Sequence, residues 1–244
     1  MMADIFTIWW KEWKGLFRWS GSGLKAVLTL LAPIGVFGVF VPWDAADHWV
    51  NGVPSIFAAV AVPFIVVMLT VPDSFAGERE RHTLATLLAS RLPDRVILLG
   101  KASFSMILAV GMALATLVLG LITFNVAHWS GAVVLYSPKL LVVDPMLSVL
   151  MAGLATGSGI LISLRAGTVQ EAQQTLVAVT MLPPMVLGPV VLLISRARPE
   201  WGLRTVMGGL GEPGNLALLF MVLLAVVVLL FALAQRRFQR ARLL

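Results

Sequence analysis

Long apolar runs are the feature of this chain that most limits what it can fold into. Six of them follow one another along the 244 residues, at 24–41, 53–71, 102–126, 147–164, 176–194 and 216–234. A run of about 20 apolar residues matches a helix that crosses about 30 Å of hydrocarbon. Backbone groups in lipid must also pair within their own segment, which favours helices. The sequence therefore predicts an all-α membrane protein, with residues 1–244 forming one domain of six transmembrane helices.

The composition agrees with a membrane location. Hydrophobic residues make up 59% of the chain and charged residues only 12%, whereas soluble domains carry about 25% charged residues. The chain has no cysteine, which excludes disulfides, thiol catalysis and cysteine-ligated metals. The net charge of +6 does not require nucleic acid as a partner, because basic residues collect on the cytoplasmic loops of membrane proteins.

The distribution of basic residues predicts the orientation. Fourteen of the eighteen Lys and Arg residues lie in the N-terminal segment, the second and fourth connections and the C-terminal tail. These segments share one side of a six-helix layout, and the positive-inside rule assigns that side to the cytoplasm. We therefore expect both termini inside the cell.

Residues 1–20 have the pattern of an amphipathic helix lying in the membrane interface. At about 100° per residue, a narrow polar face contains Asp4, Thr7, Lys11, Lys14 and Arg18. The remaining surface is apolar, with Trp9, Trp10 and Trp13, and only Glu12 departs from the pattern. Tryptophan opposite basic residues suits the headgroup boundary. The sequence leaves open whether this helix only anchors the chain or also contacts a partner.

The connection at 72–95 holds the densest charge, in the stretch GERERHTLATLLASRLPDRVILLGK at 77–101. We predict that Gly77 ends the preceding helix and that Glu78 and Glu80 begin a short new one, because acidic residues stabilise a first turn. Three leucines then share a helical face: Leu84, Leu87 and Leu88. This helix suits a groove on a soluble partner, and a solvated connector on the lipid surface is the alternative.

The same stretch resembles the signature of the type-2 family of ABC transporter permeases. That signature has an acidic-basic-acidic run, Gly-Thr-Leu, a leucine-rich helix, a turn, and Leu-Leu-Gly-Lys at the start of the next span. The residues that match are Glu78, Glu80, Thr83, Leu84, Leu87, Leu88, Pro93, Leu98, Leu99, Gly100 and Lys101. His82 stands where the family usually has glycine, so the backbone there is expected to differ.

The resemblance implies a half-transporter in a bacterial or archaeal plasma membrane. Two permease chains, identical or related, would form the pathway, and a separate ABC ATPase would bind ATP and magnesium and hydrolyse the nucleotide. The residues implied to contact that ATPase are Glu78, Arg79, Glu80, Arg81, Thr83, Leu84, Leu87 and Leu88. The sequence has no phosphate-binding loop of the GxxxxGK[ST] type, so we expect no cofactor, metal or catalytic residue in this chain.

Two further segments carry predictions. The fifth run contains Pro183, Pro184 and Pro189, which remove backbone donors and suggest a kink, a hinge or a lining of the pathway. Residues 195–214 are too polar to span, and related permeases suggest re-entrant helices there, with a plain loop as the alternative.

Other classes of protein stay open on the sequence. The six runs contain almost no ionisable residues, which argues against an intramembrane enzyme and a proton-coupled carrier. A non-transporting scaffold or assembly factor is the main alternative, and a haem-exporter-like permease is a sub-class of the transporter prediction. The substrate and the direction of transport do not follow from the residues.

Overall fold

The computed structural model describes residues 2–18, 23–83, 92–180 and 213–238. Every regular element in these ranges is helical, which confirms the all-α prediction. The helices are α1 (Met2–Arg18), α2 (Gly23–Gly35), α3 (Val41–Ala45), α4 (Asp47–Asn51), α5 (Val53–Glu80), α6 (Asp94–Ala127), α7 (Pro138–Ser163), α8 (169–180) and α9 (Pro213–Arg237). A π-helical turn at Val36–Phe40 joins α2 to α3.

Five helical stretches of the described residues are long and apolar enough to cross a membrane. They are Val27–Ala45, Val53–Glu80, Asp94–Ala127, Pro138–Ser163 and Gly214–Arg237. The predicted fifth run, 176–194, begins inside α8 and continues outside the described residues. The count of six and the orientation therefore stay predictions, as do the roles of Pro183, Pro184 and Pro189. The predicted outer segment 195–214 also lies outside the described residues, except where α9 begins at its end.

The core lies where α5 packs against α6 and α7. One stripe of α5 is completely buried there, and it consists of valines at helical spacing: Val62, Val66, Val67 and Val71. Ile97 from α6 and Ile160 from α7 belong to the same cluster and are also fully buried. Branched apolar side chains on three helices thus hold α5 at the centre of the described bundle.

Two backbone carbonyl groups that lie four residues before a helix proline accept hydrogen bonds from hydroxyl groups of neighbouring helices. Pro63 lies inside α5 and has no N–H to donate to the carbonyl four residues earlier. That carbonyl, on Ala59, accepts a hydrogen bond from the Ser148 hydroxyl of α7 at 3.0 Å. Pro42 leaves the Gly38 carbonyl in the same way, and the Thr123 hydroxyl of α6 donates to it at 2.8 Å. These bonds satisfy backbone groups that lipid would leave unpaired.

Small residues let α9 approach α7 closely. A Cβ atom on Gly153 would lie 2.9 Å from Val227 Cγ1, and one on Gly157 would lie 2.8 Å from Leu230 Cβ. The spacing of these two glycines is typical of helix contacts in membranes, and here the contact is within one chain.

We call the end of the bundle that carries Lys11, Glu78 and Lys101 the basic end. The opposite end, which carries Trp49, Tyr136 and Asp144, we call the distal end.

Candidate functional site

A cluster of buried charges joins three helices at the basic end. Its centre is Lys101 on α6, whose side chain is only 2% exposed. The Lys101 ammonium donates to Glu12 Oε1 at 2.8 Å and to the Ser74 carbonyl at 2.6 Å. Its nitrogen also lies 3.0 Å from Glu78 Oε1. One lysine therefore holds α1, α5 and α6 together.

The approach of α1 to α6 depends on a small residue next to this lysine. A Cβ atom on Gly100 would lie 2.8 Å from Ile8 Cδ1, so only glycine leaves room for the buried Ile8. The Trp9 indole N–H donates to the Ser103 hydroxyl at 3.0 Å. These contacts place Glu12 beside Lys101, which explains why Glu12 departs from the polar face of α1.

Glu78 is buried at the end of α5 rather than presented to solvent. Its residue exposure is 4%, and its Oε1 atom accepts from the ammonium groups of both Lys11 and Lys101. Two cations on one carboxylate offset the cost of removing that charge from water. Glu78 therefore belongs to the internal framework of the chain.

The two residues after Glu78 fasten α5 to the turn between α7 and α8. The Arg79 guanidinium donates to the Ala166 carbonyl at 2.7 Å and to the Leu164 carbonyl at 3.0 Å. These carbonyls follow the C-terminus of α7, where a cation is favourable. Glu80 Oε2 accepts from the Val169 N–H at 3.0 Å, at the start of α8, where an anion is favourable. The acidic-basic alternation thus matches the polarity of two helix ends.

The prediction that Gly77 ends one helix and that Glu78 and Glu80 begin another is wrong. Helix α5 continues to Glu80 without a break. The acidic residues occupy its last turn, where the helix dipole disfavours them by a few tenths of a kcal/mol to about 1 kcal/mol. The bonds from Lys11, Lys101 and the N-terminus of α8 outweigh that cost. Dipole arguments from sequence could not include partners so distant along the chain.

The next residues lie closer to solvent. Arg81 Nη1 is 2.9 Å from Asp73 Oδ1, and the arginine side chain is half exposed, so this pair contributes less than about 1 kcal/mol. The Thr83 hydroxyl donates to the Glu78 carbonyl at 3.3 Å. Both residues line an open cleft of about 720 Å³ with Lys11 and Lys14. The predicted contact residues Leu84, Leu87 and Leu88 lie outside the described residues.

His82 has a left-handed backbone conformation. Its φ angle is 55°, in the region that glycine adopts freely and that costs most other residues about 1–2 kcal/mol. The expectation that the backbone at His82 differs from the one usual with glycine stays a prediction.

The predicted helix at the N-terminus is present as α1, and it has two different sides; its location in the membrane interface stays a prediction. Ile8 and Glu12 face the bundle, whereas Trp10 and Trp13 are about half exposed, at 56% and 47%. Lys14 lies 4.8 Å above the Trp10 ring, a cation–π arrangement typical of exposed sites. The outward tryptophans suit a lipid headgroup layer. Arg18 is the last residue of the helix.

Sequence reasoning missed a buried carboxylic acid at the distal end. Asp144 lies in the second turn of α7, and its residue is 2% exposed. The predicted fourth run began at residue 147, whereas α7 begins at Pro138, so Asp144 was assigned to a connection. The preference of proline for the first helical position could have placed the start of the helix at Pro138, and the predicted run would then have included Asp144.

Aromatic rings surround this distal region. The Trp49 and Tyr136 ring centroids are 6.5 Å apart, and the Tyr136 hydroxyl donates to the Leu117 carbonyl at 2.8 Å. Burial raises the pKa of the Tyr136 hydroxyl. The distal end is therefore closed by packed rings, in contrast to the ion pairs of the basic end.

The architecture is that of a multi-pass membrane protein. The family model for ABC-2 type transporters matches residues 3–207, and the chain belongs to that family. No curated protein matches the chain.

Proposed function

We propose that the chain is the permease subunit of an ABC exporter, driven by ATP hydrolysis in a separate ATPase subunit. Family membership supports the permease role, and the family normally works with an ATPase. Two permease chains, identical or related, would form the pathway. ATP and magnesium would bind to the ATPase alone.

The observation that carries the coupling proposal is the Lys101 cluster. The segment at 84–91 follows the end of α5 and precedes α6, which begins at Asp94. Lys101 joins the last turns of α5 to the first turns of α6, and Glu12 adds α1 to the same cluster. A force on the connecting segment would therefore act on three helices together.

The internal bonds of Glu78, Arg79 and Glu80 divide the predicted contact residues into two groups. These three side chains already have partners within the chain and would hold the segment in place. The leucine face of Leu84, Leu87 and Leu88 would then supply the contact with the ATPase. Arg81 and Thr83 would flank that contact.

The test is a double substitution, Leu84→Asp with Leu87→Asp, in the chain co-expressed with an ABC ATPase subunit that co-purifies with the wild-type chain. An unpaired charge in a desolvated groove costs about 3–5 kcal/mol, so we expect co-purified ATPase to fall by at least tenfold and transport to be lost. The exposed Arg95 lies in the same connection, and Arg95→Ala is the matched control, which should retain both. Membrane insertion should be normal in both variants.

Two outcomes would contradict the proposal. Retention of the ATPase and of full transport by the double variant would make the segment a surface connector. ATP hydrolysis that follows the chain through stringent purification without a partner would contradict the division of labour between subunits.

A further inference from the structure

Asp144 is a buried acid whose carboxyl group lacks a partner. Neither carboxylate oxygen has a hydrogen-bond partner within the described ranges of the chain, and the residue is 2% exposed. An ionised carboxylate in such a place is far more costly than a neutral carboxylic acid. Ionisable residues inside membrane helices are functional candidates by default. The group therefore needs an explanation that the transporter fold does not provide.

The hydroxyl groups near Asp144 donate elsewhere. The Ser148 hydroxyl, one turn along α7, donates to the Ala59 carbonyl at 3.0 Å and to the backbone carbonyl of Asp144 at 2.9 Å. The Ser55 hydroxyl lies beside the carboxyl group but donates to the Gly52 carbonyl at 3.3 Å. The Tyr136 hydroxyl donates to the Leu117 carbonyl. Of these three hydroxyls, only that of Ser55 is also placed to bond the Asp144 carboxyl group, and one shared hydroxyl stabilises a buried negative charge far less than two or three dedicated donors would.

Among the described residues, the charged and titratable side chains of the distal end form no ion pair with Asp144. On α4, Asp47 and His48 are exposed. His128, after α6, stacks on Phe124 with ring centroids 5.5 Å apart. Lys139 is exposed on the first turn of α7 and has an interaction of its own. The side chains of Ser55 and Tyr136 lie close enough to Asp144 to interact with its carboxyl group.

The packing of the distal end favours a proton over a metal cation as the partner of Asp144. Trp49 is fully buried. A Cβ atom on Gly120 would lie only 2.3 Å from Trp49 Cζ2, so the Trp49 ring packs tightly against α6. Metal cations with oxygen ligands need several oxygen atoms around them, and the hydroxyls nearest Asp144 are engaged with backbone carbonyls. A proton needs no such shell.

We propose that Asp144 is a proton-binding site and that its carboxyl group holds a proton in this conformation. The neutral acid can be packed against α5 and the aromatic rings, whereas the anion would require water. Any opening that lets water reach the distal turns of α7 would therefore release the proton, and closing would take it up. This inference does not rest on the proposed ATPase partner.

The experiment compares wild type, Asp144→Asn and Asp47→Asn by equilibrium unfolding in mixed micelles across pH 5 to 8. An unfolded aspartate has a pKa near 3.9, so above that pH the unfolded wild-type chain has lost a proton that the folded chain keeps until the pH passes the pKa of the buried carboxyl group. The folded state then binds one more proton, and the folding equilibrium constant should fall by up to tenfold per pH unit as pH rises. Asp144→Asn should remove that slope, because the amide does not titrate. Asp47→Asn, a control at an exposed acid of the same end, should keep it.

Three results would overturn the proposal. Equal pH slopes in wild type and Asp144→Asn would mean that Asp144 does not hold a proton. Failure of Asp144→Asn to fold would mean that the negative charge is needed, because the amide has the shape of the neutral acid. Stabilisation of wild type, but not of Asp144→Asn, by sodium chloride over matched choline chloride at constant pH would assign the site to a sodium ion.

Discussion

The two ends of the bundle bury polar groups in opposite ways. At the basic end, Lys101 is surrounded by acceptors from α1 and α5, and every contact lies within 3.1 Å. At the distal end, Asp144 and the Trp49 indole N–H are buried without hydrogen-bond partners in the described part of the chain. The first arrangement fixes helices to one another. The second buries groups that can stay neutral, so within the described residues Asp144 and Trp49 do not tie the helices together by ion pairs.

The largest expected effect comes from breaking the basic end with Lys101→Met. This change leaves Glu12 and Glu78 close together with one buried cation fewer, and breaking a buried ion pair costs about 3–5 kcal/mol. We expect that loss in the free energy of unfolding, measured by equilibrium unfolding in mixed micelles. Arg95→Met removes an exposed cation from the same helix and should stay within about 0.5 kcal/mol of wild type. Equal effects of the two changes would show that the cluster is effectively solvated.

A smaller effect is expected from crowding the distal end with Gly120→Ala. The new methyl group would meet the buried Trp49 ring at 2.3 Å, and overpacking costs about 1–3 kcal/mol. Gly111→Ala on the same helix meets nothing within 4 Å and should instead stabilise the chain by about 0.5–1 kcal/mol. The same unfolding assay reads both. Changes of the same sign would mean that Trp49 moves aside freely, and the distal end would then be looser than its contacts indicate.

The smallest effect is expected for Ser148→Ala, which removes the bond to the carbonyl that Pro63 leaves unpaired. Hydrogen bonds between membrane helices contribute about 0.6 kcal/mol on average and at most about 1.7 kcal/mol. Ser158→Ala is the control, because that hydroxyl donates to Leu154 and Ala155 within its own helix. If the two substitutions had equal effects on the free energy of unfolding, the hydrogen bond from Ser148 to the Ala59 carbonyl would contribute nothing to stability.

Much of the fold followed from apolar runs, because a helix in lipid has few alternatives. The helical conformation of α1 followed equally well from the periodicity of its apolar and polar residues. What the runs could not predict was where polar residues continue a helix. Glu78 and Glu80 extend α5 because Lys101 and α8 bond them, and Asp144 lies within α7 because the helix starts at Pro138. These outcomes depend on contacts between residues far apart in sequence.

The candidate site was predicted only in part. The charged stretch was singled out from the sequence, but the role of its charges was inferred from the local pattern, which treats each charge as solvated. The structure shows Glu78 and Arg79 bonded within the chain, so the charges do not form one exposed patch. Glu12 was visible in the sequence as an exception to the polar face of α1. The sequence did not show that a buried cation, Lys101, lies within reach of Glu12.

The length of α5 determines how far a tilt at the basic end would move the distal end. Its 28 residues span about 42 Å at 1.5 Å per residue, which exceeds the roughly 30 Å of hydrocarbon. A straight rod of that length, pivoting at one end by about 5°, moves its other end by about 4 Å. The ion pairs at one tip and the ring packing near the other lie at the two ends of this lever. A tilt of α5 by a few degrees about the lysine cluster would therefore become a movement as wide as a side-chain contact at the opposite surface.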